Sequence, residues 1–84
     1  MKTNHYVTTF TVANHPDCFN GVVQKITSCS SLDPTGLNAE KIYRILIDFC
    51  VEDANKIYKD FDMKITDQDI NVEFVALLYS ENGN

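Results

Sequence analysis

His15 and Cys18 stand three residues apart where a helix would begin, a position that lowers a thiol's pKa. Such a pair offers a nucleophilic thiol with an imidazole base, or half of a metal site. Nothing completes it, because no recognisable third group accompanies the pair and no other close Cys/His pair supplies zinc ligands. A turn histidine and a partly buried cysteine is the simpler reading. Asp60, Asp62, Asp67 and Asp69 form a second candidate, an acidic run that invites calcium. The EF-hand spacing is absent, and no Gly or closing Glu falls in register. With Asp53, these acids read as a solvated acidic surface. No catalytic residue, metal site or cofactor is expected, and the chain reads as a non-enzyme.

The chain that must position these groups has 84 residues, room for one domain over 1–84, with an ordered core over 5–80 and a frayed polar tail. Its three cysteines, Cys18, Cys29 and Cys50, lack the even count and spacing of a disulfide framework. In a reducing compartment they serve as small buried apolar residues. The longest apolar run, Phe74 to Tyr79, is far too short to cross a bilayer. The opening residues show no signal-peptide core, so a cytoplasmic location is expected. Net charge is −5 and uneven: before Asp48 the balance is +1, and from Asp48 onward it is −6. Binding to phosphate backbones needs a basic surface, so a direct nucleic-acid partner is not expected. An acidic half suits a protein partner with a basic surface.

Residues 5–13 are rich in β-branched and aromatic types; Tyr6, Thr8, Phe10 and Val12 fall on one face and Val7, Thr9 and Thr11 on the other, the pattern of a strand. Pro16 and Asp17 suit a helix start, and Phe19, Val22, Val23 and Ile26 follow at helical spacing, which predicts a helix over about 16–28. A hairpin strand over 21–29 is the rival. Thr27–Leu32 has the look of a short edge strand, and Asp33-Pro34-Thr35-Gly36 carries the preferences of a type I turn.

Lys41–Val51 fits two patterns. Tyr43, Ile45, Ile47, Phe49 and Val51 alternate as in a strand, while Ile42, Ile45, Leu46, Phe49 and Cys50 fit a helix. The Ile and Phe enrichment favours a strand. Glu52 and Asp53 then open a second helix, with Ala54, Ile57, Tyr58 and Phe61 on its apolar side. A short strand over Asp62–Thr66 and a turn at Asp67–Asp69 lead to a final strand, Ile70–Tyr79. The order matches the ferredoxin-like split βαβ arrangement: an α+β fold with a four-stranded antiparallel sheet, two helices on one face, and the first and third strands central.

At Thr11-Val12-Ala13-Asn14-His15-Pro16-Asp17-Cys18-Phe19, followed by Val22, Val23 and Ile26, the chain resembles the opening of ACT domains, and Arg44–Phe61 resembles their third strand and second helix. Those regulatory modules share the ferredoxin-like fold and bind an amino acid or similar small ligand at the first strand-to-helix loop. The resemblance nominates Asn14, Asp17 and Cys18 as ligand-binding positions in a dimeric sensor. The chain departs from the pattern at Asp17, where the family has a Gly that lets backbone approach the ligand.

The expected sheet has one more consequence. If two helices cover Tyr6, Phe10 and Val12, with Ile45, Ile47 and Phe49 and with Val72, Phe74 and Leu78, the open face carries Val7, Leu46, Cys50, Val75, Leu77 and Tyr79. An apolar patch of that kind marks a partner or self-association site. The aromatic residues fall mostly on core faces among acidic neighbours, which argues against base stacking. The functional expectation is a small acidic interaction protein that docks a protein partner or a second copy. Its size and charge are those of phage-encoded inhibitors of nucleic-acid-processing defence systems, such as anti-CRISPR or anti-restriction proteins.

Overall fold

The computed structural model describes residues 2–12, 25–59 and 64–82. Three strands and one long helix organise them: β1 (Lys2–Val12), β2 (Lys25–Leu32), α1 (Ala39–Ile57) and β3 (Ile70–Asn82), with a single 3-10 turn at Asp67–Asp69 leading into β3. The strands form one antiparallel sheet in the order β2-β1-β3, so β1 is central and both partners are edges.

This corrects the expected fold. The class is α+β, but the described residues hold a three-stranded sheet and one helix, not four strands and two helices. The strand expected over 41–51 is helical, and the helix expected to open at Glu52 is the last part of that same element. Residues 25–28, expected to close a first helix, lie in β2 instead, in line with the edge strand expected over Thr27–Leu32; residues 16–24 lie outside the described set. Residues 64–66 are not a strand. The strand expected over 5–13 is present through Val12, with residue 13 outside the described set, the strand expected over 70–79 is present, and β3 runs on through Ser80 and Glu81 to Asn82.

The helix forms because its start is capped and one stripe is apolar. Asn38 is the N-cap, and its Oδ1 accepts a hydrogen bond from the Lys41 backbone N–H at 2.8 Å. Leu46, Cys50 and Ala54 follow at four-residue spacing and are buried. Charged residues occupy the other side, where Glu52 and Lys56 form an i,i+4 pair at 3.5 Å. The link from β2 is built by its own chemistry. The Thr35 N–H donates to Asp33 Oδ1 at 2.9 Å, and Leu37 N–H donates to the Pro34 carbonyl at 3.0 Å. Gly36 takes φ 77 at the third position of that Pro34–Leu37 turn, a value only glycine accepts without strain. The hydrogen-bonded turn therefore closes one residue later than the expected type I turn.

Phe10, Val12, Cys50, Ala54 and Ile65 make the buried cluster, and Ile26, Tyr58, Ile70 and Val72 pack against it. The helix-facing side of the sheet is fixed by these contacts. It carries Tyr6, Thr8, Phe10 and Val12 of β1 with their partners Ser30, Ser28 and Ile26 of β2. The core therefore sits at one end of the sheet, where α1 ends. Toward the other end this side becomes polar, with Asn4, Thr8, Ser28 and Ser30 all buried.

Candidate functional site

β3 enters the core and then leaves it. Ile70 and Val72 pack on the buried cluster, but beyond them Phe74, Val75, Leu77, Leu78 and Tyr79 are 57%, 36%, 52%, 54% and 53% exposed. Two register shifts explain why apolar side chains stand on both faces. Pairing passes from Phe10↔Val72 to Thr9↔Phe74 and from Tyr6↔Leu77 to His5↔Tyr79, leaving Glu73 and Leu78 as extra residues on β3. Each extra residue reverses the alternation. Val75 and Leu77 therefore share the helix-facing side with Thr8 and Tyr6, while Phe74 and Tyr79 lie on the reverse side with Thr9 and His5. The helix does not cover Val75 or Leu77, and no strand pairs with the outer edge of β3 among the described residues.

The six residues expected on an open sheet face are thus dispersed. Val75 and Leu77 are exposed on the helix-facing side, and Tyr79 is exposed on the reverse side. Val7 is half-buried on the reverse side between Cys29 and Ala76. Leu46 belongs to α1 and is 2% exposed, so it is a core residue; Cys50 is likewise buried in the helix. Phe74, expected in the core, is the most exposed of the β3 group. Leu78 was also expected inside. The bulges that moved both residues leave no mark in a hydrophobic pattern.

The acids divide in the same way. Asp53 is half-buried and accepts a hydrogen bond from the Ser28 hydroxyl, tying α1 to β2. Asp69 Oδ2 accepts from the Thr66 N–H at 3.0 Å and so caps the 3-10 turn, while Asp67 is exposed. Asp60 and Asp62 lie outside the described residues, as do Asn14, His15, Asp17 and Cys18. On α1 the exposed charges are Glu40, Lys41, Arg44, Asp48, Glu52 and Lys56, three of each sign. The outer face of the helix is therefore balanced and not acidic. Among the described residues no three His, Cys, Asp or Glu side chains gather to hold a metal ion.

One constellation was not anticipated because its members lie on three different strands. Ser31 Oγ and His5 Nδ1 are 2.7 Å apart, and His5 Nε2 lies 3.2 Å from Glu81 Oε1, an ion-pair distance without hydrogen-bond alignment. Tyr79 stacks on the imidazole, with ring centroids 4.3 Å apart and planes 18° from parallel. Hydroxyl, imidazole and carboxylate in line are the parts of an activated nucleophile. Here they lie across the reverse face of a sheet, with Ser31 and Glu81 exposed. Acyl transfer also needs preorganised oxyanion donors and a site that excludes water, which this exposed placement does not provide. The arrangement works as a strut across β2, β1 and β3.

A depression lies elsewhere, at the start of α1, an open hollow of about 490 Å3 lined by Leu37, Asn38, Glu40, Lys41, Arg44 and Ile45. Cys50 is chemically quiet, since burial, with the Asp53 carboxylate nearby, pushes its thiol up to about 11. No helix among the described residues is long and apolar enough to cross a membrane.

The comparisons with known proteins add no family: no family model, no curated protein and no solved structure matches this chain.

Proposed function

We propose that this chain is a non-enzymatic docking protein whose contact element is the exposed half of β3. The observation that carries the reading is the run Phe74–Tyr79, which is uncharged, free of Pro and Gly, unpaired on its outer edge among the described residues, and exposed at five of its six side chains. Exposed apolar patches rimmed by polar residues mark interaction surfaces, and free edges of this kind are templates for another strand. Docking also fits a thin core, because a small domain with few buried apolar residues gains stability from a partner.

A second reading is carried by the net charge of −5: docking on a protein with a basic surface, in the manner of a phage-type inhibitor of a nucleic-acid-processing defence system. The balanced face of α1 gives this reading less support than β3 gives the first.

Capture from native-host extract with the full chain and with Leu77→Lys, at low and high salt, tests both. Docking through β3 predicts that the full chain retains a protein at both salt concentrations, either a host protein or a differently tagged copy of the chain added to the extract, and that Leu77→Lys loses it. Equal capture by the two chains contradicts it. A partner lost only at high salt, whatever stands at position 77, supports the second reading.

A further inference from the structure

Resting on the reading that β3 docks, we infer that the strand pairs edge to edge with β3 of a second copy, making one continuous six-stranded sheet across a two-fold axis.

Three observations select a second copy. The first is electrical. Glu73 and Glu81, the two acids of the strand, flank its apolar run, Glu73 with Lys25 Nζ at 3.2 Å and Glu81 with the His5 ring at 3.2 Å. The stretch between them, 74–80, is uncharged, so it offers no charge pattern for a complementary partner to read and meets no repulsion from its own copy. The second is area. Five side chains, four of them exposed by just over a half and Val75 by about a third, each with about 150–250 Å2 when fully open, present on the order of 500 Å2 per copy. Two copies together offer about 1,000 Å2, the lower bound of a specific interface, to which the edge adds backbone hydrogen bonds.

The third is register. A two-fold axis through an antiparallel pair sets one residue opposite its own counterpart, and facing residues share a side of the sheet. With Ala76 at the centre, Val75 faces Leu77 of the second copy, and both stand on the helix-facing side. Phe74 then faces Leu78, and Glu73 faces Tyr79. Moving the centre to Leu77 would set Glu73 against Glu81, two like charges across the ladder. The Ala76-centred register avoids that conflict. An interface of this size is weak and concentration-dependent.

Sedimentation of the full chain between about 1 µM and 500 µM tests the inference, because a small interface of this class dissociates on dilution. The expected result is a rise from 9.5 kDa toward twice that mass. Leu77→Lys should stay monomeric throughout, while Ile57→Lys, on the exposed end of α1, should behave as wild type. Since Leu77 is half-exposed, circular dichroism should show the variant folded. Ala76→Cys supplies an independent readout: under mild oxidation the two introduced thiols should join in an intermolecular disulfide, mapped by mass spectrometry. A single monomer mass at every concentration, or a dimer that Ile57→Lys abolishes and Leu77→Lys leaves intact, overturns the inference. A monomer that still loses a captured protein on Leu77→Lys overturns the second copy alone and leaves β3 as a docking strand.

Discussion

Asn55 and Ile65 hold each other through two hydrogen bonds: the Ile65 N–H donates to Asn55 Oδ1 at 2.9 Å, and Asn55 Nδ2 donates to the Ile65 carbonyl at 3.0 Å. The side-chain amide acts here as a peptide group, pairing with main chain as a neighbouring strand would. It also donates to the Val51 carbonyl at 3.0 Å, one turn back on α1. This clamp fixes Ile65 in the core at the point where the chain turns back toward β3. Asn55→Ala strands a buried N–H and a carbonyl, each costing about 1–3 kcal/mol. Urea titration should show a loss of about 3 kcal/mol. Asn55→Asp keeps the acceptor and loses both donors, so it should also destabilise.

Thr8 offers the opposite sign. Its side chain is 1% exposed between β2 and β3, and its Oγ1 has no hydrogen-bond partner among the described residues. Thr8→Val keeps the shape and removes the unpaired hydroxyl, which should raise stability by about 1 kcal/mol. Ser28, its cross-strand neighbour, differs because its hydroxyl is donated to Asp53. Ser28→Ala should lose about 1–2 kcal/mol, the range for hydrogen bonds to charged groups. Urea titration of both variants beside wild type checks the two signs.

The cysteines should separate by reactivity. Cys29 is exposed on β2, whereas Cys50 is buried with its thiol pushed up to about 11. Brief alkylation at about pH 8, mapped by mass spectrometry, should label Cys29 and spare Cys50 until the chain unfolds. The same shift predicts a pH dependence. Between pH 9.0 and about 11 the unfolded thiol loses its proton while the folded one keeps it. The unfolded state then binds fewer protons, so stability falls as pH rises through that window. Cys50→Ala should remove this component of the decline relative to wild type.

The elements that were legible in the sequence are those with one readable period. Tyr6, Thr8, Phe10 and Val12 alternate because β1 is central and one of its faces meets the core. Lys41–Val51 was ambiguous because Ile42, Ile45, Leu46, Phe49 and Cys50 satisfy a helix as well as the alternating set satisfies a strand. Packing decided it, overriding the β-propensity of Ile and Phe, and the Asn38 cap was the local signal that could have tipped the choice. Losing that strand removed the expected ferredoxin-like sheet, and with it the fold on which the ACT resemblance rested. Val75, Leu77 and Tyr79 are exposed even so, but on two faces instead of one, since exposed residues of β3 need only the strand itself. Leu46 did not survive, being assigned to a sheet that does not form. The His5, Ser31 and Glu81 strut could not be foreseen, because Ser31 and Glu81 stand 26 and 76 positions beyond His5 and meet it only through the pairing of three strands.

The cap makes its own prediction. Asn38→Ala should cost about 1 kcal/mol, while Asn38→Asp should be close to neutral because it keeps the acceptor beside the helix N-terminus. Thermal unfolding of the two variants beside wild type checks it.

The outer edge of β3 is unpaired among the described residues, and amide hydrogen exchange on that strand reads its state directly. Exchange of peptides spanning 70–82 should be fast at about 1 µM and slow markedly at about 500 µM, while peptides from α1 keep one rate; exposed edges exchange by local opening, and pairing closes them. Exchange on β3 that is slow at every concentration, or a concentration effect that falls on α1 instead, would contradict pairing through that edge.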